Sequence, residues 1–260
     1  MDIAWWHLVL AALAGLAGGA VNSLAGGGTL ITFPALTALG IPALQANMTN
    51  TVALIPGYFS GAVAQRAAIL DQRHQVFIAF PVAALGGLAG GWLLLRTDAA
   101  TFESLVPWLI LAASLLLAVE SRLKAAVVRL SARRAAPPLT HLGNDIALAA
   151  MVFVGALYGG FFGAGLGIVV LALMGLVMSE TLSRINAVKQ TVSLAANVTA
   201  ALVFSGSGMV EWKVALALGI GAFIGGEFGG YFASSVKPEL LRIVVVLLGI
   251  GISIVFFFNR

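Results

Sequence analysis

The sequence predicts an all-α membrane protein of many spans, built from two halves inserted in opposite directions. Three observations carry that expectation. The 260 residues are 60% hydrophobic and only 9% charged, with a mean hydropathy of +1.04, whereas a soluble domain carries roughly 25% charged residues. Apolar runs recur along nearly the whole chain, without the charged helix faces a soluble α/β protein needs between its strands. And a glycine cluster followed by a polar island occurs twice, once in each half.

Ten apolar segments follow in order, at about residues 5–22, 24–39, 45–65, 75–95, 104–119, 144–162, 164–178, 184–205, 211–234 and 239–258. The start of the chain lacks the basic region of a cleaved signal and reads as a first membrane segment. Between the fifth and sixth segments, Glu120 to Gly143 reads as a loop, with Arg122, Lys124, Arg129, Arg133, Arg134 and Pro137-Pro138. The expected organisation is a first membrane repeat over 1–119, a basic cytoplasmic linker over 120–143 and a second repeat over 144–260.

The halves resemble each other. One constant shift maps Gly26 onto Gly165, Gly28 onto Gly167, Asn47 onto Asn186, Asn50 onto Lys189 and Thr51 onto Gln190. Five segments per half is an odd number, so the second half would insert upside down. With the linker inside the cell, ten basic residues fall inside: Arg66, Arg73, Arg122, Lys124, Arg129, Arg133, Arg134, Arg184, Lys237 and Arg242. Three fall outside: Arg96, Lys213 and Arg260. That asymmetry obeys the positive-inside rule and puts both termini outside. Eight crossings, with segments 2 and 7 not spanning, would move Lys237 and Arg242 outside and fit the rule less well.

Segments 2 and 7 are short. Fifteen or sixteen helical residues reach about 22–24 Å, against a hydrocarbon core of ~30 Å. Each follows a glycine cluster, and segment 2 contains Pro34, which has no N–H to donate. Short, Gly/Pro-interrupted segments at matching places in two halves point to a transporter's binding site. Freed backbone N–H groups and the positive end of a restarting helix suit an anion.

Beside each short segment lies a polar helical face. Segment 3 presents Asn47, Asn50, Thr51, Leu54 and Tyr58; segment 8 presents Asn186, Lys189, Gln190, Ser193 and Asn197. The expected anion contacts are Gly26, Gly27, Gly28, Thr29, Asn47, Asn50, Thr51, Gly165, Gly167, Asn186, Lys189 and Gln190. Lys189 is expensive so far into a span unless it is paired or hydrated. It reads as a substrate contact, as half of an ion pair, or as a snorkelling side chain. Glu227 is the carboxylate well inside a span and reads as a coupling group, as a residue facing the cytoplasmic end of segment 9, or as the partner of Lys189.

Other glycine clusters, at Gly15–Gly19 and Gly86–Gly91, need only close helix packing. His7, His74 and His141 assemble no metal or catalytic site, and five tryptophans gather near segment ends as an interfacial belt would. Zero cysteines exclude a disulfide framework and thiolate metal sites. The net charge of +4 reflects loop lysines and arginines rather than nucleic-acid binding. No cofactor is expected, and an enzyme is not, because the spans offer no carboxylate pair, Ser–His pair or metal-ligand spacing.

These stretches also resemble the TauE/SafE sulfite exporter family, known too as the toluene sulfonate uptake permease family. The resemblance rests on Asn22-Ser23-Leu24-Ala25-Gly26-Gly27-Gly28-Thr29-Leu30-Ile31-Thr32-Phe33-Pro34 and on Ala46-Asn47-Met48-Thr49-Asn50-Thr51. In the second half it rests on Arg184-Ile185-Asn186-Ala187-Val188-Lys189-Gln190 and the Gly225–Gly230 stretch. It implies a carrier of sulfite, sulfonate or sulfoacetate-like anions in a bacterial inner membrane. Its partners would be a small anion and the lipid bilayer, and homo-oligomerisation is compatible with it. An anion channel and a non-transporting membrane subunit are the competing readings.

Overall fold

A computed structural model describes residues 4–25, 27–133, 141–232 and 238–258. Gly26, Arg134, Pro137, Pro138, Lys237 and Arg260, all used in the sequence reading, lie outside these residues. The described chain is helical throughout. The first half comprises α1 (Trp5–Ala25), α2 (Thr29–Ala38), α3 (Ala43–Ala53), α4 (Ile55–Ala64), α5 (Arg66–Leu70), α6 (Arg73–Arg96) and α7 (Ala99–Ala118). Then follow α8 (Glu120–Arg133), α9 (His141–Phe161), α10 (Leu166–Gly175), α11 (Leu182–Ser205), α12 (Trp212–Phe232) and α13 (Pro238–Phe258). Among the described residues, five helices are long and apolar enough to cross a membrane: α1, α6, α7, α9 and α11. The chain is a multi-pass membrane protein.

Two stretches differ from the sequence reading. The expected third segment is two helices, broken at Leu54, because Pro56 sits at the start of α4 and its ring excludes the carbonyl one turn back. The expected linker loop begins with a fourteen-residue helix, α8. Leu123 and Val127 lie one turn apart on its apolar side; Val127 is buried against α10, where Gly175 leaves room for it.

The short segments are short helices of ten residues each, α2 and α10. Such a helix reaches about 15 Å, half the hydrocarbon thickness. The α2 helix stops at Leu39–Gly40, where Gly40 takes φ 84° and its N–H returns to the Thr37 carbonyl. Before α10, Gly163 and Gly165 both take positive φ, 77° and 69°, a conformation that other L-residues enter only with strain.

Close packing joins the halves. Gly15 and Gly19 of α1 abut the Leu218 and Ala222 carbonyls of α12, and Gly221 and Gly225 abut the Ala12 and Leu16 carbonyls in return. The α6–α9 pair repeats the device: Gly86 and Gly90 meet Phe153 and Leu157, and Gly160 meets the Gly87 carbonyl. A β-carbon at any of these positions would overlap the facing backbone. Lipid gives helices no hydrophobic reason to associate, so such van der Waals contact holds them. The α7–α13 pair is fastened differently, with Ser253 Oγ donating to the Pro107 carbonyl at 2.8 Å and Trp108 edge-on to Phe257.

Candidate functional site

Glycine sets the entry of α2. Gly27 and Gly28 are buried; side chains there would overlap Leu117 of α7 and the Gly18 carbonyl of α1, respectively. The helix starts at Thr29 without a side-chain cap; the Leu30 and Ile31 N–H groups turn back onto the Gly27 and Gly28 carbonyls, both at 3.0 Å. Thr29 is buried, and Thr32 Oγ1 donates to the Gly28 carbonyl at 3.2 Å. The second break is built alike: α10 starts uncapped after left-handed Gly165, and Gly167 and Ile168 are buried. Tyr158 of α9 pins the connection by donating its hydroxyl to the Ala164 carbonyl.

The polar face of α3 runs into this second break. Asn47 Nδ2 donates to the Phe161 carbonyl, the last of α9, at 2.8 Å. Thr51 Oγ1 folds back onto the Asn47 carbonyl at 2.9 Å. Thr49 Oγ1 accepts from the Glu211 N–H at 3.0 Å, tying α3 to the start of α12. Asn47 and Asn50 are 0% and 1% exposed, and the side-chain oxygens of both have no hydrogen-bond partner. Both amides were expected to contact an anion; the Asn47 nitrogen is taken by the Phe161 carbonyl, while the oxygens of both stay without a partner. Phe33, Phe102 and Phe162 pack around the same end, Phe33 edge-on to Phe162 at 5.4 Å between centroids.

At the other end of α3–α4 the polar residues are only partly covered. Asn186 Nδ2 donates to Gln65 Oε1 at 2.9 Å, and Gln190 lies against Gly61, where a β-carbon would overlap its amide. Lys189 is half-buried on α11, within electrostatic reach of Lys124 and Glu120 of α8. Glu120 is buried and forms an ion pair with Lys124 one turn on. Glu227 is exposed and accepts a hydrogen bond from Ser60 Oγ of α4 at 2.7 Å. The structure therefore puts Glu120, rather than Glu227, beside Lys189.

Further polar contacts gather at this end. Gln72 Nε2 donates to the Arg184 carbonyl at 2.8 Å, Arg184 pairs with Asp71 at 3.2 Å and Glu180 at 3.1 Å, and His74 pairs with Asp145 at 3.1 Å. Of the residues singled out from sequence, the structure thus forms two groups. Gly165, Gly167, Asn47, Asn50 and Thr51 belong to the buried end, and Asn186, Lys189 and Gln190 to the half-covered end. Gly27, Gly28 and Thr29 pack against α1 and α7, and Gly26 lies outside the described residues.

Ser60, Gln65, Thr49, Glu120 and Lys124 were not among the expected site residues. Gln65 and Gly61 continue the face of Tyr58 at helical spacing, so the signal was present. A cleft of about 890 Å³ lies apart from both groups, between α2, the α2–α3 turn and α13, with Glu103 at its margin. Its walls are otherwise largely apolar, and none of the expected site residues lines it.

The family described as "Sulfite exporter TauE/SafE" matches residues 11–256. A Sinorhizobium protein named a probable membrane transporter protein, ORF9, is 27% identical over 97% of this chain and 93% of its own length. A Haemophilus influenzae probable membrane transporter protein is 27% identical over 95% of this chain and 93% of its own. The Escherichia coli K12 probable membrane transporter protein YfcA is 26% identical, over 88% and 81%. No solved structure matches.

Proposed function

This chain belongs to the sulfite exporter TauE/SafE family, and from that premise we propose that it is a secondary transporter of a small sulfur-containing or organic anion in a bacterial inner membrane. The observation that carries the reading is the pair of ten-residue helices, α2 and α10, each started by a glycine break and each beside a polar helix. Irregular backbone at membrane depth is stable where protein buries it or where it lines a cavity.

At the half-covered end Gln190 and Lys189 would supply the anion with an amide and a fixed charge, and the positive ends of the short helices α2 and α10 would add to the field. Lys124 adds positive field and Glu120 offsets part of it, so the site holds a net positive charge for one small anion. The polar groups are covered at the Asn47 end and half-open at the Asn186 end, which fits a carrier resting open towards the cytoplasm.

Inverted repeats and alternating access complete the proposal. Exchanging each segment with its counterpart five segments away turns the α1–α12 pair into the α9–α6 pair, and both pairs are closed by glycines against carbonyls. Arg184 pairs with Asp71 and Glu180, and His74 with Asp145, at loops and segment ends that the ten-segment arrangement puts inside. Thr49, near the outer start of segment 3, meets Glu211, at the outer start of segment 9. Both groupings support the ten-segment arrangement, in which rocking of one repeat against the other would expose the site alternately.

Uptake of labelled sulfite or sulfonate into proteoliposomes tests the site. Lys189→Met should cut uptake at low substrate by about tenfold or more, the scale of one lost charge-assisted contact of ~1.5–3 kcal/mol. Unchanged uptake and affinity would remove Lys189 from the site.

A further inference from the structure

We propose that Asn47 and Asn50, under the last carbonyl of α9, form a site for a dehydrated monovalent cation, sodium. The site itself is argued from geometry; its role as the coupling ion rests on the transporter reading.

The first ground is unmet hydrogen bonding. Asn47 Oδ1 and Asn50 Oδ1 lie in residues 0% and 1% exposed, and neither oxygen has a partner. One buried amide oxygen left alone costs about 1–3 kcal/mol. Two of them three residues apart lie on one face of the helix, where a single ligand can meet both. Nor can Asn47 turn its oxygen away. Its nitrogen donates to the Phe161 carbonyl at 2.8 Å, and a flipped amide would set two oxygens against each other.

The second ground is the field. Phe161 is the last residue of α9, and the carbonyl end of a helix carries partial negative charge that favours cations. Helix C-terminal ends and free carbonyls coordinate sodium or protons in transporters with broken helices. An anion placed against these oxygens would be repelled, so its contacts belong at the half-covered end, with Gln190 and Lys189.

The third ground is ligand chemistry. Amide and carbonyl oxygens are hard ligands suited to alkali and alkaline-earth ions. A divalent ion in so dry a place needs carboxylates, and no group of three Asp, Glu, His or Cys side chains able to hold a metal occurs among the described residues. Neutral oxygens at low dielectric suit one positive charge.

The test is thermal melting of the purified full-length protein in sodium, potassium or choline chloride at equal ionic strength, with no transport substrate present. Sodium should raise the melting temperature saturably over choline, and Asn50→Leu should abolish that rise. Asn50→Asp should lower the half-saturating sodium concentration by about tenfold, because ligand charge tightens cation sites. Equal melting in sodium and choline, as a buried water would give, overturns the site. So does a sodium effect that survives Asn50→Leu. Should Asn50→Leu not fold, an unchanged half-saturation in Asn50→Asp overturns it instead. Anion uptake by the same preparations separates the two proposals. Uptake without any sodium effect on melting sinks the cation site alone, and a sodium effect without uptake of any anion sinks the transporter reading alone.

Discussion

Asn47 uses one amide for two ends: its nitrogen holds the last turn of α9, and its oxygen faces inward unpaired. Replacing it with Leu removes the partner of the Phe161 carbonyl and leaves that group buried. Asn47→Leu should destabilise the protein by about 1–3 kcal/mol, read as a lower melting temperature in choline chloride, where any cation effect is absent. At this scale the sequence spoke clearly about which residue types were unusual and poorly about whom they meet. The polarity of Asn47, Lys189 and Glu227 stands out in an apolar chain. Their partners do not, because Phe161 contributes only a backbone carbonyl, Glu120 sits at a helix boundary and Ser60 looks like any small residue. Gln65 was legible: the face through Asn47, Asn50, Leu54 and Tyr58 reaches it at Gly61 and Gln65 by steps of three and four.

Helix boundaries have chemical causes that can be tested singly. Asp98 caps α7, accepting from the Thr101 N–H at 2.9 Å and its hydroxyl at 2.7 Å. These bonds hold its carboxyl below the ordinary carboxylate pKa, favouring the charged form. The sign follows: a depressed folded pKa contributes stability above the unfolded pKa, and that contribution disappears as pH falls through the folded one. Asp98→Ala should therefore melt below wild type at neutral pH, with the two curves converging in acid; a gap that stays constant into acid would refute the capping role.

The apolar segments were readable because each is a long hydrophobic run, and the glycine breaks because glycine is a strong punctuator. The helix α8 was not, since Pro137-Pro138 and its many charges suggested a loop. Leu123, Val127 and Leu130, spaced by four and three, were the weaker helical signal. The break at Leu54 could be read from Pro56, but an unbroken apolar pattern across it hid the interruption.

The whole molecule offers a direct check on orientation, because the sequence has no cysteine and any thiol introduced is unique. Ala100 before the main body of α7, Ala125 on α8 and Gly206 after α11 are exposed. In intact cells an impermeant thiol reagent should label Ala100→Cys and Gly206→Cys, and label Ala125→Cys only after the membrane is opened. Labelling of Ala125→Cys in intact cells would overturn the orientation with the linker inside. That a repeat exists at all was visible in the order of motifs; which helices would clasp was not, because glycine faces carry no sequence code for their partner. The clasp between α1 and α12 also has a consequence in time. Gly15 leaves the ribosome some two hundred residues ahead of Gly221, which at ~5–20 residues per second is an interval of about 10–40 s. Over that interval the nascent α1 sits in the bilayer with its glycine face bare, open to quality-control proteases and to other nascent spans. The α6–α9 partners emerge much closer together, so α1 waits for its clasp far longer than α6 waits for its own.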